Sequence, residues 1–146
     1  MRILAIDYGQ KRIGIAVSDE GGVLAFPLGK FRALSDRWNK EENKAISREI
    51  KEICRTEKIK RIVVGLPLNL SGKETAMTEE VKEFAATLKK IVKKPVFFEK
   101  EFLTTKLAEG KLKEAGVKRI KEKIDAAAAA EILQSYLDRE KLENRI

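Results

Sequence analysis

Two strand patterns held four residues apart constrain this chain more than any other feature. Ile3-Leu4-Ala5-Ile6 has the pattern of a buried strand and stops at Asp7, so residues 2–7 are expected to form a first strand. Residues 8–11 turn, with Gly9 available for a positive φ. Arg12-Ile13-Gly14-Ile15-Ala16-Val17-Ser18 then resumes the strand pattern. So short a loop makes the two strands antiparallel. Gly21-Gly22 turns the chain again into a third strand, Val23 to Phe31, whose Pro27 marks an edge or a bulge. A three-stranded meander is thus expected before any helix.

The remainder changes period. Leu34 to Asn43 is polar and predicted to be irregular. Ile46, Ile50 and Ile53 recur at helical spacing within Lys44 to Thr56. Arg61 to Leu66 is β-branched throughout its middle and reads as a buried parallel strand. A loop is expected over Pro67 to Glu74 and a helix over Thr75 to Val92, with Val81, Phe84, Leu88 and Ile91 on one face. Val96 to Glu99 reads as a fifth strand and Leu103 to Glu114 as a helix ending near Gly116. A basic connection from Lys118 to Lys123 leads to a last helix, Asp125 to Asp138. The order β-β-β-α-β-α-β-α-α predicts an α/β domain over residues 1–146, with a charged tail from about 139. Its mixed five-stranded sheet combines the meander with two parallel strands reached by right-handed crossovers, with helices on both faces. Strand 4 most simply lies beside strand 1, which puts Asp7 near the sheet centre.

Composition removes whole classes of chemistry. The 146 residues include no histidine, so no Ser-His-Asp triad, Cys-His pair or histidine zinc site can be built. The one cysteine, Cys54, stands among Ile50, Ile53 and Ile59 and reads as a core residue. The remaining ligands are oxygens, which suit hard cations such as Mg²⁺ or Mn²⁺. The net charge of +8 favours a polyanionic partner, although lysines and glutamates alternating along helices neutralise part of the field. No apolar stretch of membrane-spanning length and no signal peptide are visible, so a cytoplasmic location without membrane contact is expected.

Three acids stand where such a cation would need them. Asp7 and Glu101 follow apolar strand patterns, and Asp125 opens an alanine-rich helix. Each has an ordinary structural role too: an Asx-turn for Asp7, a helix start for Glu101, an N-cap for Asp125. Ala126 to Ala130, five small side chains, let that helix approach the sheet closely and carry Asp125 toward Asp7. Clustered carboxylates holding two cations make phosphodiester hydrolysis possible without a base of near-neutral pKa. Candidate contacts to nucleic acid are Lys11 and Arg12 in the first turn and Asn69, Ser71, Gly72 and Lys73 after strand 4. Lys118, Arg119, Lys121 and Lys123 form a basic cluster before Asp125. Trp38 and Tyr8 read as packing residues before base-stacking ones.

Specific segments also carry a resemblance. Ala5-Ile6-Asp7-Tyr8-Gly9, Lys11 to Asp19, Ile62-Val63-Val64-Gly65-Leu66-Pro67-Leu68-Asn69, Leu103-Thr104-Thr105, Asp125 to Ala128 and Ile132 to Leu137 together resemble the YqgF/RuvX family. The resemblance implies an RNase H-like fold and metal-dependent phosphodiester hydrolysis in the maturation of pre-16S rRNA. It implies Asp7, Glu101 and Asp125 as the acids that hold Mg²⁺ or Mn²⁺. The family's usual Asp-Glu-Arg is Lys100-Glu101-Phe102 in this chain, with Glu99 as the substitute if Glu101 faces away. Structured RNA is the implied partner and branched DNA the alternative, for a monomer or homodimer. The competing expectations are a Holliday-junction resolvase, an actin-like or sugar-kinase ATPase domain, and a nucleic-acid-binding module without catalysis.

Overall fold

A computed structural model describes residues 1–34, 38–102 and 118–143, with side chains in the last segment from Ala126 onward. The elements are β1 (Arg2–Tyr8), β2 (Arg12–Ser18), β3 (Ala25–Arg32), α1 (Lys40–Thr56), β4 (Ile59–Leu68), α2 (Ala76–Val92), β5 (Val96–Phe102) and α3 (Lys118–Glu143). The sheet order is β3-β2-β1-β4-β5. The meander is antiparallel, while β4 runs parallel to β1 and β5 parallel to β4. This is the mixed five-stranded sheet that the sequence predicts, with β4 beside β1. The helix expected over Leu103 to Glu114 lies outside the described residues.

The two-residue period of the strands divides the interior into two cores. Leu4, Ile6 and Tyr8 join Ile13, Ile15, Val17, Ile62 and Val64 on the face covered by α1 and α2. Cys54 is buried in that core, and burial pushes its thiol up to about 11, as suits a packing residue. Ile3, Ala5, Ala16 and Val63 face the other way and meet Ala129, Ile132, Leu133, Tyr136 and Leu137 of α3. By the same alternation Asp7 lies on the α3 face.

Several boundaries move, each for a local reason. The α1 helix begins at Lys40, four residues before the expected Lys44. Asn39 accepts a hydrogen bond from the Glu42 amide at 2.8 Å, and its own amide donates to the Glu42 carboxylate at 3.0 Å. Asn39 is thus an N-cap, its side-chain amide also bonded to the Glu42 side chain, inside a segment that its polarity marked as irregular. Strand β4 runs on through Pro67 and Leu68. Its pairing with β1 ends at Ile6 and Val64, so the missing N–H of Pro67 leaves no β1 bond unmade. The carbonyl of Pro67 accepts from the buried Thr78 hydroxyl, which ties the N-terminus of α2 to the end of β4. In β3, Ile15 pairs Gly29 while Ala16 pairs Pro27, so Leu28 is an extra residue beside the proline of an edge strand. Gly9 keeps its φ outside the left-handed region. Its need is space, since a Cβ there would meet the Arg12 carbonyl at 2.8 Å.

The last helix departs furthest from expectation. It starts at Lys118, so the basic run Lys118 to Lys123 belongs to a helix and not to a connection. Ile120 and Ile124 are spaced one turn apart, and the alanines that follow propagate the helix with high propensity. It also continues past Asp138 to Glu143, because its C-terminal half is anchored to three strands. The Gln134 amide bonds the Ala25 N–H and the Val23 carbonyl at the start of β3. Arg61 of β4 donates to the Tyr136 hydroxyl at 2.6 Å and to Glu140 at 2.9 Å. Arg139 forms an ion pair with Glu99 of β5.

Candidate active site

Parallel pairing brings the carboxyl ends of β1, β4 and β5 to one edge of the sheet. Asp7 follows the pair Ile6 and Val64, which sets it level with Gly65. On the far side of β4, Gly65 pairs Glu99 and Pro67 pairs Glu101. Paired residues share a face, so Asp7, Gly65, Glu99 and Glu101 all lie under α3. Two strand spacings, about 10 Å in all, separate the β1 and β5 backbones. Gly65 presents no side chain in between. A Cβ built on it would lie 2.6 Å from Ile132 Cδ1 and 3.2 Å from Glu101 Oε2. The Glu101 carboxylate therefore leans from β5 over Gly65, toward the strand that carries Asp7.

The two acids of β5 differ in environment. Glu99 is held by Arg139 of α3. No such cation holds Glu101 among the described residues; it lines a groove of about 310 Å³ with Glu99, Phe102, Ala128, Glu131, Ile132 and Ser135. Burial first, and the charge of Glu131 second, raise its carboxyl above the ordinary carboxylate range. The folded chain thus holds a proton that the unfolded chain has already released. Between the ordinary value and the raised one the unfolded state binds fewer protons, so stability falls as pH rises and then levels off. In chelator, thermal midpoints measured across that window should decline in the wild type and stay flat in Glu101→Gln. Parallel curves would mean that Glu101 ionises normally.

The other candidates are placed as follows. Asp125 lies in α3 one turn before Ala128 and Ala129, both buried against the sheet, and its side chain is outside the described residues. The same holds for the side chains of Lys118, Arg119, Lys121 and Lys123. Among the described residues no three acids or cysteines group as a metal site. Lys11 is exposed in the β1–β2 turn, and Arg12 opens β2 opposite Arg32. Asn69 Oδ1 accepts from the Ser71 amide, the Ser71 hydroxyl and the Lys73 amide at 2.8–3.1 Å, so its oxygen shapes its own loop. That loop turns at Gly72, whose φ of +81° favours glycine, and leaves Lys73 exposed at the mouth of β4. Trp38 donates to the Gly9 carbonyl at 2.9 Å and packs on Tyr8, which is buried against Phe84 at 4.8 Å between ring centroids. Both are packing residues. Sequence reasoning missed Gly65, Glu131 and Arg139; only the glycine left a signal, as a break in a β-branched run.

Known proteins resemble the chain along its length. A family model described as "RuvX: Holliday junction resolvase" matches residues 1–139. A "Putative pre-16S rRNA nuclease" of Maridesulfovibrio salexigens is 39 % identical over 141 residues, covering 95 % of this chain and 99 % of its own. A protein of the same name from Dictyoglomus thermophilum is 38 % identical over 146 residues, 98 % of this chain and 99 % of its own. Among solved structures, Thermus thermophilus RuvC aligns with a TM-score of 0.50 at 17 % identity, over 68 % of this chain and 64 % of that one. That last likeness is one of fold, and with the strand order above the fold is RNase H-like.

Proposed function

We propose, since this chain belongs to the RuvX family, that it is a metal-dependent nuclease hydrolysing phosphodiester bonds in 5′-end maturation of pre-16S rRNA. What supports this reading is the strand register, which sets Asp7 and Glu101 on one face at the carboxyl ends of three parallel strands, with the Glu101 carboxylate beside Gly65. The donor set fits a hard divalent cation: carboxylate oxygens, no histidine, and a gap that a single Cβ would fill. Asp7, Glu101 and Asp125 would hold Mg²⁺ or Mn²⁺. The cation, when bound, supplies the positive charge that lets water approach a phosphodiester and the leaving oxygen depart.

The chain's own residues do the rest. Gly65 keeps the gap open, and Ile132 roofs it and sheds water from the buried side of Glu101. Arg139 neutralises Glu99 on the same face. Lys11, Arg12 and Lys73 hold the phosphate backbone at the mouth, with Asn69 keeping the Lys73 loop in shape. Lys118, Arg119 and Lys121 add positive charge to the sequence just before Asp125. Residues 1–146 act as one domain in the cytoplasm, as a monomer or homodimer. No helix among the described residues is long and apolar enough to cross a membrane.

The test is cleavage of a pre-16S rRNA fragment, a DNA of matched sequence and a four-way junction, each with Mg²⁺ and with Mn²⁺. Metal-dependent cutting of the RNA alone is expected. Cutting confined to the junction would favour the resolvase that the family description names, and binding without any cutting would reduce the chain to a binding module. RNA affinity should also fall with salt, the slope of log affinity against log salt reporting the phosphates neutralised. A flat line would mean that the lysines serve only internal glutamate pairs.

A further inference from the structure

The side of β5 turned away from the acids carries a pattern of its own. β5 closes one edge of the sheet, with β4 as its neighbour. Its side chains alternate, so Glu99 and Glu101 share the α3 face while Phe98, Lys100 and Phe102 share the other. On that second face α1 and α2 cover Val64 of β4. The three side chains beyond it stay open: Phe98 is 39 % exposed, Phe102 is 46 % exposed, and Lys100 is exposed as well. Two rings on one strip with a cation between them form a patch, unlike apolar residues scattered singly over a surface.

The rings stand four residues apart, about 13 Å along the strand, with the lysine midway. That spacing suits single-stranded nucleic acid, whose bases stack on aromatic rings while its phosphates take the cations between them. A second copy fits the strip poorly. A lysine in the middle of an edge strand opposes pairing with a like strand, and each chain carries a net charge of +8. The strip is also continuous with the candidate site, because Lys100 and Phe102 border the groove that contains Glu101.

We propose that Phe98, Lys100 and Phe102 form a platform for single-stranded RNA and guide the strand along β5 to the groove of Glu101. The inference rests on the reading of the chain as a ribonuclease, and it gives that substrate an unpaired segment beside the cut. The platform prefers unpaired RNA to duplex, because a base stacks on a ring only when its face is free.

The test uses the full chain in chelator, so that nothing is cut. Fluorescence anisotropy follows binding of a short labelled RNA without self-pairing and of an RNA duplex of the same length. Phe98→Ala should weaken binding of the single strand on the order of tenfold and leave the duplex within about twofold. Phe98→Trp, which keeps a ring, should stay near wild type. Lys100→Gln should reduce the slope of log affinity against log salt by about 0.7, the share of one phosphate on a single strand. In cleavage with metal restored, these losses should fall on KM and not on kcat. Single-strand affinity unchanged by Phe98→Ala overturns the platform, and so does an equal loss for strand and duplex. A dimer that Phe98→Ala dissolves, with RNA affinity intact, overturns it in favour of a second copy. A wild type that binds no single strand overturns it too, while cleavage of the pre-16S rRNA fragment judges the nuclease reading separately. Should Phe98→Ala fail to fold, Phe98→Leu keeps the apolar bulk without the flat face and carries the same comparisons.

Discussion

Asp7→Asn should abolish cleavage of pre-16S rRNA in Mg²⁺ or Mn²⁺, lowering the rate on the order of a thousandfold or more. The substitution keeps the size of the side chain and removes one negative charge. Asp7 stands on the rim of the α3-side core and not inside it, and its backbone pairing with Gly14 is untouched by the change. Folding should therefore survive, which a thermal scan can check. RNA binding should survive as well, because backbone contacts by the lysines and arginines supply most of the affinity. The loss should be confined to the chemical step, as expected when an interaction matters chiefly in the transition state. Equal cleavage by wild type and Asp7→Asn would mean that the activity comes from a contaminant or from another site.

Glu101→Gln should lose activity on the order of a hundredfold or more, whereas Glu99→Gln should change it little. The two glutamates share a strand face two residues apart, so their position alone does not separate them. Their partners do. The Glu99 carboxylate is bound to Arg139, while that of Glu101 lies in the gap over Gly65. Lys100 projects from the opposite face of β5 and is exposed. Lys100→Asp, which restores the residue usual in the family segment, should thus alter kcat only slightly. Inactivity of Glu99→Gln with Glu101→Gln intact would reverse the assignment.

Strand order was legible because it follows from loop lengths and a two-residue period. A four-residue turn forces a hairpin, and a β-branched run between helical segments forces a crossover. The start of α1 was not read because composition was weighed before capping: Asn39 and Glu42 are polar, yet their pairing is what begins a helix. The basic run before Asp125 was misread for a similar reason, its charge density obscuring the spacing of Ile120 and Ile124. Of the candidate acids, Asp7 and Glu101 were legible as residues at strand mouths. Their surroundings were not. That Gly65 clears a gap, that Arg139 claims Glu99 and that Glu131 lies beside Glu101 are facts of tertiary placement, set by how α3 crosses the sheet.

The anchoring of α3 has a consequence for the order in which the protein becomes active during synthesis. Gln134 bonds backbone atoms 109 and 111 positions earlier in the chain, so the second core closes only through contacts of long sequence separation. The ribosome can release a complete sheet with α1 and α2 in place by residue 102, one face packed and the other bare. At that stage Asp7 and Glu101 have no roof over Gly65, and Asp125 has not been made. The proposed site is thus completed only when the last helix docks.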